Sequence, residues 1–272
     1  MKPIRVALSG SGFKFPAHVG ALAAIRDAGY TPIEYAGTSG GSIVASLAAT
    51  GMSVDDMKTM TMGRDWSSML SFNLFSLLFK KGFCSGNNLL AFITEQTKGK
   101  TFAQLDTDLV VMASDLSNAA PFEFSKKTTP DVQVAFAARS SASIPVAYAP
   151  MSYSDVLLED GGVENNIPAD KLTLDDVPRI GIQLVAKESH IDAKSITLFS
   201  MLPRLVGMML DANENTHVDL EQNEGTQFAF IETGFANGLD RNMSVEVRQK
   251  LYDNGYAGAK AALEKLKSGP EA

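Results

Sequence analysis

Gly37-Thr38-Ser39-Gly40-Gly41 sets a serine among glycines at a point where the local pattern changes character. Ahead of it runs a short apolar stretch, Ile33-Glu34-Tyr35-Ala36. After it, Ser42 to Thr50 reads as a helix closed by Gly51. Strand, sharp turn with a serine at its tip, then helix is the context in which a hydroxyl becomes an exposed nucleophile above the positive end of a helix. The bland alternative is a glycine turn with no chemistry.

A nucleophilic serine needs a base, and the chain has only three histidines, His18, His190 and His217. His18 falls near the start of the first expected helix, where it faces the site or packs. His190 and His217 sit in polar stretches and read as surface. Asp160 is better placed. Val156-Leu157-Leu158-Glu159 reads as a short strand that delivers it into Gly161-Gly162, where missing side chains permit close backbone approach. Its competing reading is an ordinary Asp-Gly hairpin turn.

Little chain precedes the serine: a strand (Arg5-Val6-Ala7-Leu8), a helix from Pro16 to Ala28 ended by Gly29, and the strand before Ser39. That β-α-β order implies parallel neighbours. It brings Ser9-Gly10-Ser11-Gly12 to the same sheet edge as Ser39, with backbone N–H groups able to face an oxyanion. No G-x-x-x-x-G-K-[ST] follows this loop, which argues against a nucleotide phosphate site.

The motifs together resemble the patatin-like phospholipases, lipid acyl hydrolases that use a Ser-Asp dyad without histidine. Leu8-Ser9-Gly10-Ser11-Gly12 with His18-Val19-Gly20-Ala21-Leu22 is similar to the family's glycine-rich oxyanion loop and first helix. Gly37 to Ser42 resembles its elbow, Ala138 to Pro145 the segment beside the site, and Asp160 to Pro168 the aspartate motif. The resemblance covers residues 4–170. It implies Ser39 as nucleophile, Asp160 as base, and an oxyanion or substrate-binding set of Gly10, Ser11, Gly12, Lys14 and Gly40, with no metal and no cofactor. Two departures stand out: Ser11 interrupts the family's run of glycines, and Lys14 stands where an arginine is usual. The first narrows the loop and the second keeps charge without a planar fork.

Around these residues, 272 positions at 45% hydrophobic and 20% charged suit one α/β domain spanning 1–272. Further strands are expected at Leu109–Ala113, Ile180–Val185 and Thr226–Ile231, with Phe122–Phe124 at an edge and a helix between Val245 and Leu266. The expectation is a three-layer α/β/α fold with a central, mostly parallel mixed sheet. A net charge of −7 argues against nucleic acid as a partner. One cysteine, Cys84, permits no internal disulfide, and the beginning of the chain lacks a signal-peptide pattern, so a cytoplasmic product, at most peripheral at membranes, is expected. Two apolar stretches, Trp66 to Phe83 and Ile196 to Leu210, read as core, a lid, a lipid contact or a homo-oligomer interface; neither has the ~20 residues needed to span a bilayer.

The expected activity is therefore hydrolysis of a phospholipid or other fatty-acyl ester through an acyl-enzyme. Acyl transfer by the same residues and a weakly catalytic lipid-binding module are the rivals that the sequence leaves open.

Overall fold

Apolar residues on both faces of the same strands require a sheet covered on each side, and the chain alternates accordingly. In a computed structural model, which describes residues 1–69, 82–186, 218, 221–222 and 224–268, Ile4, Val6 and Leu8 point into one core cluster and Ala7 into the other. The same alternation separates Val111 and Ala113 from Val110 and Met112, and Ala229 and Ile231 from Phe228. A strand period of two produces this division.

The chain begins with β1 (Lys2–Leu8), α1 (Pro16–Asp27), β2 (Tyr30–Thr38), α2 (Ser39–Ala49) and α3 (Val54–Gly63). Pro16 occupies the first turn of α1, and Gly29 beyond its end takes a positive φ of 84°. Then come β3 (Gly82–Cys84), α4 (Asn87–Gln96), β4 (Asp108–Asp115), β5 (Ala120–Ser125) and α5 (Val134–Ser141). The remaining elements are β6 (Val146–Tyr148), β7 (Met151–Tyr153), β8 (Val156–Asp160), β9 (Arg179–Val185), β10 (Gln227–Glu232) and α6 (Val245–Ser268).

An eight-stranded sheet runs β10-β9-β1-β2-β4-β8-β7, with β5 also paired to β4. The five strands from β10 to β4 are mutually parallel, while β5 and β8 are antiparallel to β4. The fold is α/β with a mixed, mostly parallel sheet. Helices α1 and α2, with the apolar faces of α5 and α6, belong to the larger core cluster; Ile167, Ala169, Leu172 and Val218 cover the opposite face. A two-stranded parallel pair, β3 with β6, was not anticipated from the sequence.

The stretch from Trp66 to Phe83 divides. Trp66 and Met69 are core residues, each 4% exposed, and Trp66 lies edge-on to Phe15 and Phe92 at centroid distances of 4.8 and 5.4 Å. At this end the core reading holds and a lid does not, because three aromatic rings bury one another. Residues 70–81 of that stretch, all of Ile196 to Leu210, and His190 and His217 lie outside the described residues. Among the described residues, no helix is long and apolar enough to cross a membrane.

Candidate active site

Strand β4 acts as a ruler for the site. Its Met112 pairs with Thr38, the last residue of β2, and its next residue, Ala113, pairs with Asp160, the last residue of β8. Strand β5 occupies the other edge of β4 from Val110 to Asp115. The parallel β2 and the antiparallel β8 therefore share one edge and approach each other end to end. The residue just past β2 meets the last residue of β8: Ser39 Oγ donates to Asp160 Oδ2 at 2.6 Å, across 121 positions of sequence.

Ser39 turns sharply from β2 into α2, with φ at +52°. That left-handed backbone is costly for a residue with a side chain and calls for external restraint. Ser141, fully buried near the end of α5, supplies one restraint by accepting the Ser39 N–H at 2.8 Å. Two residues on, the Ser143 carbonyl accepts the Asp160 N–H at 3.1 Å. The same short segment thus anchors both members of the pair. Ser114 Oγ also donates to the Asp160 carbonyl, and Asp160 Oδ1 accepts the Gly162 N–H, both at 2.8 Å.

Arg139 holds that segment in place. Its side chain is fully buried; Nη1 donates to Ser143 Oγ at 2.6 Å, and Nε and Nη2 reach the carbonyls of Gly86, Ser85 and Ala149 at 3.2, 3.1 and 3.0 Å. The guanidinium lies over the Tyr148 ring, 4.8 Å from its centroid. Among the described residues it forms no ion pair. Burial lowers its pKa from the usual value.

Asp160 is pushed up to about 6, chiefly by burial; the bonds from Ser39 and Gly162 and the charge of Arg139 pull the other way. Its neighbour Glu159, also buried, rises further, to about 8, from burial and then from the Asp160 charge. The two carboxyls thus titrate apart. Near neutral pH, Asp160 is the ionised one and Glu159 holds a proton.

His18 is not part of this arrangement. It is fully buried, its Nε2 sits 2.8 Å from the Ser9 carbonyl, and burial drives its pKa down to about 4. A neutral Nε2–H donor there buttresses the glycine loop from below.

In that loop Gly12 has φ +54°, and a Cβ on it would lie 2.2 Å from the Gly238 carbonyl oxygen. Gly40 faces it: a Cβ there would lie 2.3 Å from Ser11 Oγ and 2.5 Å from the Gly12 carbonyl. Loop and helix start are therefore in near backbone contact. The Gly10 N–H, expected among the oxyanion donors, is instead taken by the Asn166 carbonyl at 3.0 Å. This ties the loop to the segment following Asp160. Gly10 retains a steric role, since its missing side chain leaves room beside Ser39 and Asn166. Lys14 Nζ donates to Thr233 Oγ1 at 3.0 Å, just beyond β10. Among the described residues the Ser11 and Gly12 N–H groups have no acceptor within the loop's hydrogen bonds, and Gly40 lies in the first helical turn, where intrahelical acceptors are lacking.

A cleft with about 590 Å³ of empty space, open solvent included, is lined by Ser39, Gly40 and Gly12. Its walls are almost wholly apolar, with Phe13, Ile43, Leu47, Met57, Trp66 and Phe92 among them. Sequence reading did not find this cleft, nor the anchoring roles of Arg139 and Ser141. The available signal was a lone arginine in Val134–Ala142, an otherwise uncharged run.

A serine hydrogen-bonded to a buried aspartate thus sits beside a glycine loop on a mainly parallel sheet. The model of the family described as patatin-like phospholipase matches residues 6–173, more than half of the chain, and the chain belongs to that family. An uncharacterised protein, R571, of Acanthamoeba polyphaga mimivirus is 26% identical over 281 residues, covering 96% of this chain and 94% of the viral one. A protein named probable lipid hydrolase 463L, from Invertebrate iridescent virus 6, is 26% identical over 180 residues, 61% of each chain. VipD of Legionella pneumophila superposes with a TM-score of 0.63 at 15% identity, covering 97% of this chain and 66% of VipD. ExoU of Pseudomonas aeruginosa, solved with SpcU, gives 0.57 at 19%, covering 99% of this chain and 52% of its own. The chain thus spans between half and two thirds of those two solved proteins, and the likeness to them is one of fold.

Proposed function

We propose that this protein is a serine lipid acyl hydrolase of the phospholipase A or lysophospholipase type. The observation that carries the reading is the 2.6 Å bond from Ser39 Oγ to a buried Asp160 carboxylate at the mouth of an apolar cleft. Family membership and the name of the iridescent virus relative support the same class of chemistry.

In the proposed cycle, Asp160 Oδ2 accepts the Ser39 proton as Oγ attacks the ester carbonyl. The carbonyl oxygen becomes an oxyanion facing the N–H groups of Ser11, Gly12 and Gly40, at the positive end of α2. Collapse breaks the ester bond, and Asp160 returns its proton to the leaving alcohol. A water then gives its proton to Asp160 while its oxygen attacks the acyl-serine. The second collapse returns that proton to Ser39 and releases the fatty acid.

Two results test the reading in solution. A fluorophosphonate probe should label wild type at Ser39 and fail on Ser39→Ala. Mass spectrometry of mixed phospholipids incubated with each should find free fatty acid and lysolipid only with wild type. Absence of both label and products would leave a lipid-binding module.

The pH dependence follows from the Asp160 environment. Only the ionised carboxylate accepts a proton, so kcat/KM on a soluble ester should fall as pH drops through about 6 and level off above it. A profile flat from well below to well above that value would remove Asp160 as the base.

The oxyanion wall predicts a contrast between neighbours. Gly40→Ala places a methyl against Ser11 Oγ and the Gly12 carbonyl, which should displace a donor and lower kcat on the order of 10²–10³-fold. Ser11→Gly should keep activity, since the backbone donor remains. Turnover near wild type in a folded Gly40→Ala would take this wall out of the mechanism.

A further inference from the structure

We infer that the cleft beside Ser39 is a length gauge for the acyl chain, set for a medium-length saturated chain of roughly ten carbons, with Leu47 as its stop. The inference rests on the hydrolase reading for the chemistry at Ser39, but not for the shape of the cleft.

The wall on the α2 side is formed by Ser39, Gly40, Ile43, Val44 and Leu47. These positions fall at i, i+1, i+4, i+5 and i+8, one continuous face of a helix. The cleft therefore runs along α2 rather than across it. Eight residues at ~1.5 Å of rise place Leu47 ~12 Å along the axis from Ser39. Helix α2 ends two residues later, and Met57 from the following helix, 1% exposed, lines the same cavity. An extended hydrocarbon with C–C bonds of ~1.5 Å advances roughly 1.25 Å per carbon, so about ten carbons fill that length.

The occupant is the acyl group rather than the leaving group, because Ser39 itself lines the cleft, and its Oγ is the atom to which the acyl group is bonded in the intermediate. Its lining explains the preference for hydrocarbon: Phe13, Val19, Ile43, Leu89 and Ile144 add apolar wall without a charged side chain. Charged chains would lose hydration here without gaining a charged partner among the described lining residues.

The chain's single tryptophan, Trp66, is part of this wall. It supplies a binding signal that does not depend on turnover. The experiment has two arms on the full chain. In the first, tryptophan emission is titrated with saturated fatty acids of four to sixteen carbons. In the second, kcat/KM is measured for 4-nitrophenyl esters of the same lengths. Both should strengthen with length, about fourfold per methylene in the steep region, and turn over near ten carbons. Leu47→Ala should move the optimum about two to four carbons longer, and Leu47→Phe should move it shorter. Each variant is judged by its own ratio of long-chain to short-chain rates, so a general loss of stability or activity cancels. Met57→Ala provides an independent lengthening variant.

A fatty-acid response peaking near ten carbons with no ester hydrolysis would sink the hydrolase reading while supporting the gauge. A response that is absent or flat from four to sixteen carbons would overturn the gauge. So would an optimum that the two opposite Leu47 variants leave in place.

Discussion

Ser39→Ala and Asp160→Asn should each reduce kcat/KM on a soluble ester by on the order of 10⁴–10⁶-fold, and the double variant should be no worse than the weaker single one. The reason is geometric. In the proposed cycle each group acts only through the 2.6 Å bond between them, so removing either partner removes the whole proton-transfer step. Residual activity would come from the oxyanion wall and the cleft. The Asn variant is the sharper probe, since it keeps nearly the shape of the carboxylate while losing its charge and basicity. Should Asp160→Asn retain within about tenfold of wild type, a different base must serve Ser39. His18 is poorly suited to that part, because burial lowers its pKa to about 4, making it a weak base, and its Nε2 is bonded to the Ser9 carbonyl.

Arg139→Met should destabilise the fold by roughly 3 kcal/mol or more. Two effects oppose each other. Removing a buried guanidinium relieves its desolvation, but it strips donors from two buried carbonyls, from the partly buried Ser85 carbonyl and from Ser143 Oγ. Each buried acceptor left without a donor costs about 1–3 kcal/mol, so the loss dominates. Arg139→Lys should recover only part of it, because an ammonium cannot copy the fork that reaches both sides of the segment. In whatever Arg139→Met protein folds, the pH midpoint of turnover should rise, since a positive charge favouring ionised Asp160 is gone. Urea melts report the first effect and pH–rate profiles the second. A melting temperature within about 2 °C of wild type would show the guanidinium to be dispensable.

The parts of the site that were legible in the sequence are those with local causes. The turn at Ser39 follows from an apolar strand, small residues and a helix start within about fifteen positions. Asp160 at the end of β8 follows from Val156–Glu159 and the glycines after it. What joins them is strand register, and register is decided by which strands share an edge, a property that neither local pattern contains. The same limit explains Gly10. A glycine loop predicts available N–H groups, but the Asn166 carbonyl that takes one of them arrives from 156 residues away. Trp66 shows a second kind of ambiguity. Aromatic and aliphatic composition fits a lipid boundary or an interior equally, and contact with Phe15 and Phe92 decides for the interior. Arg139 illustrates a third. Its partners are carbonyls, a hydroxyl and a ring, so no complementary charge in the sequence announces it.

The end-to-end meeting of β2 and β8 on β4 also sets when the protein can first act. A nascent chain stopped short of Val156 already contains the serine, the glycine loop and the strand that will serve as ruler, yet it lacks Asp160, the proposed base. It is chemically silent while β1, β2 and β4, three of the five parallel strands, can already pair. During refolding, ester turnover should accordingly be among the last signals to return, because it waits for β8 to seat. Trp66 emission reports the earlier packing of its aromatic neighbours. The delay between the two signals would time one strand's arrival, and the newly made chain would carry no lipid-cleaving activity until that strand is in place.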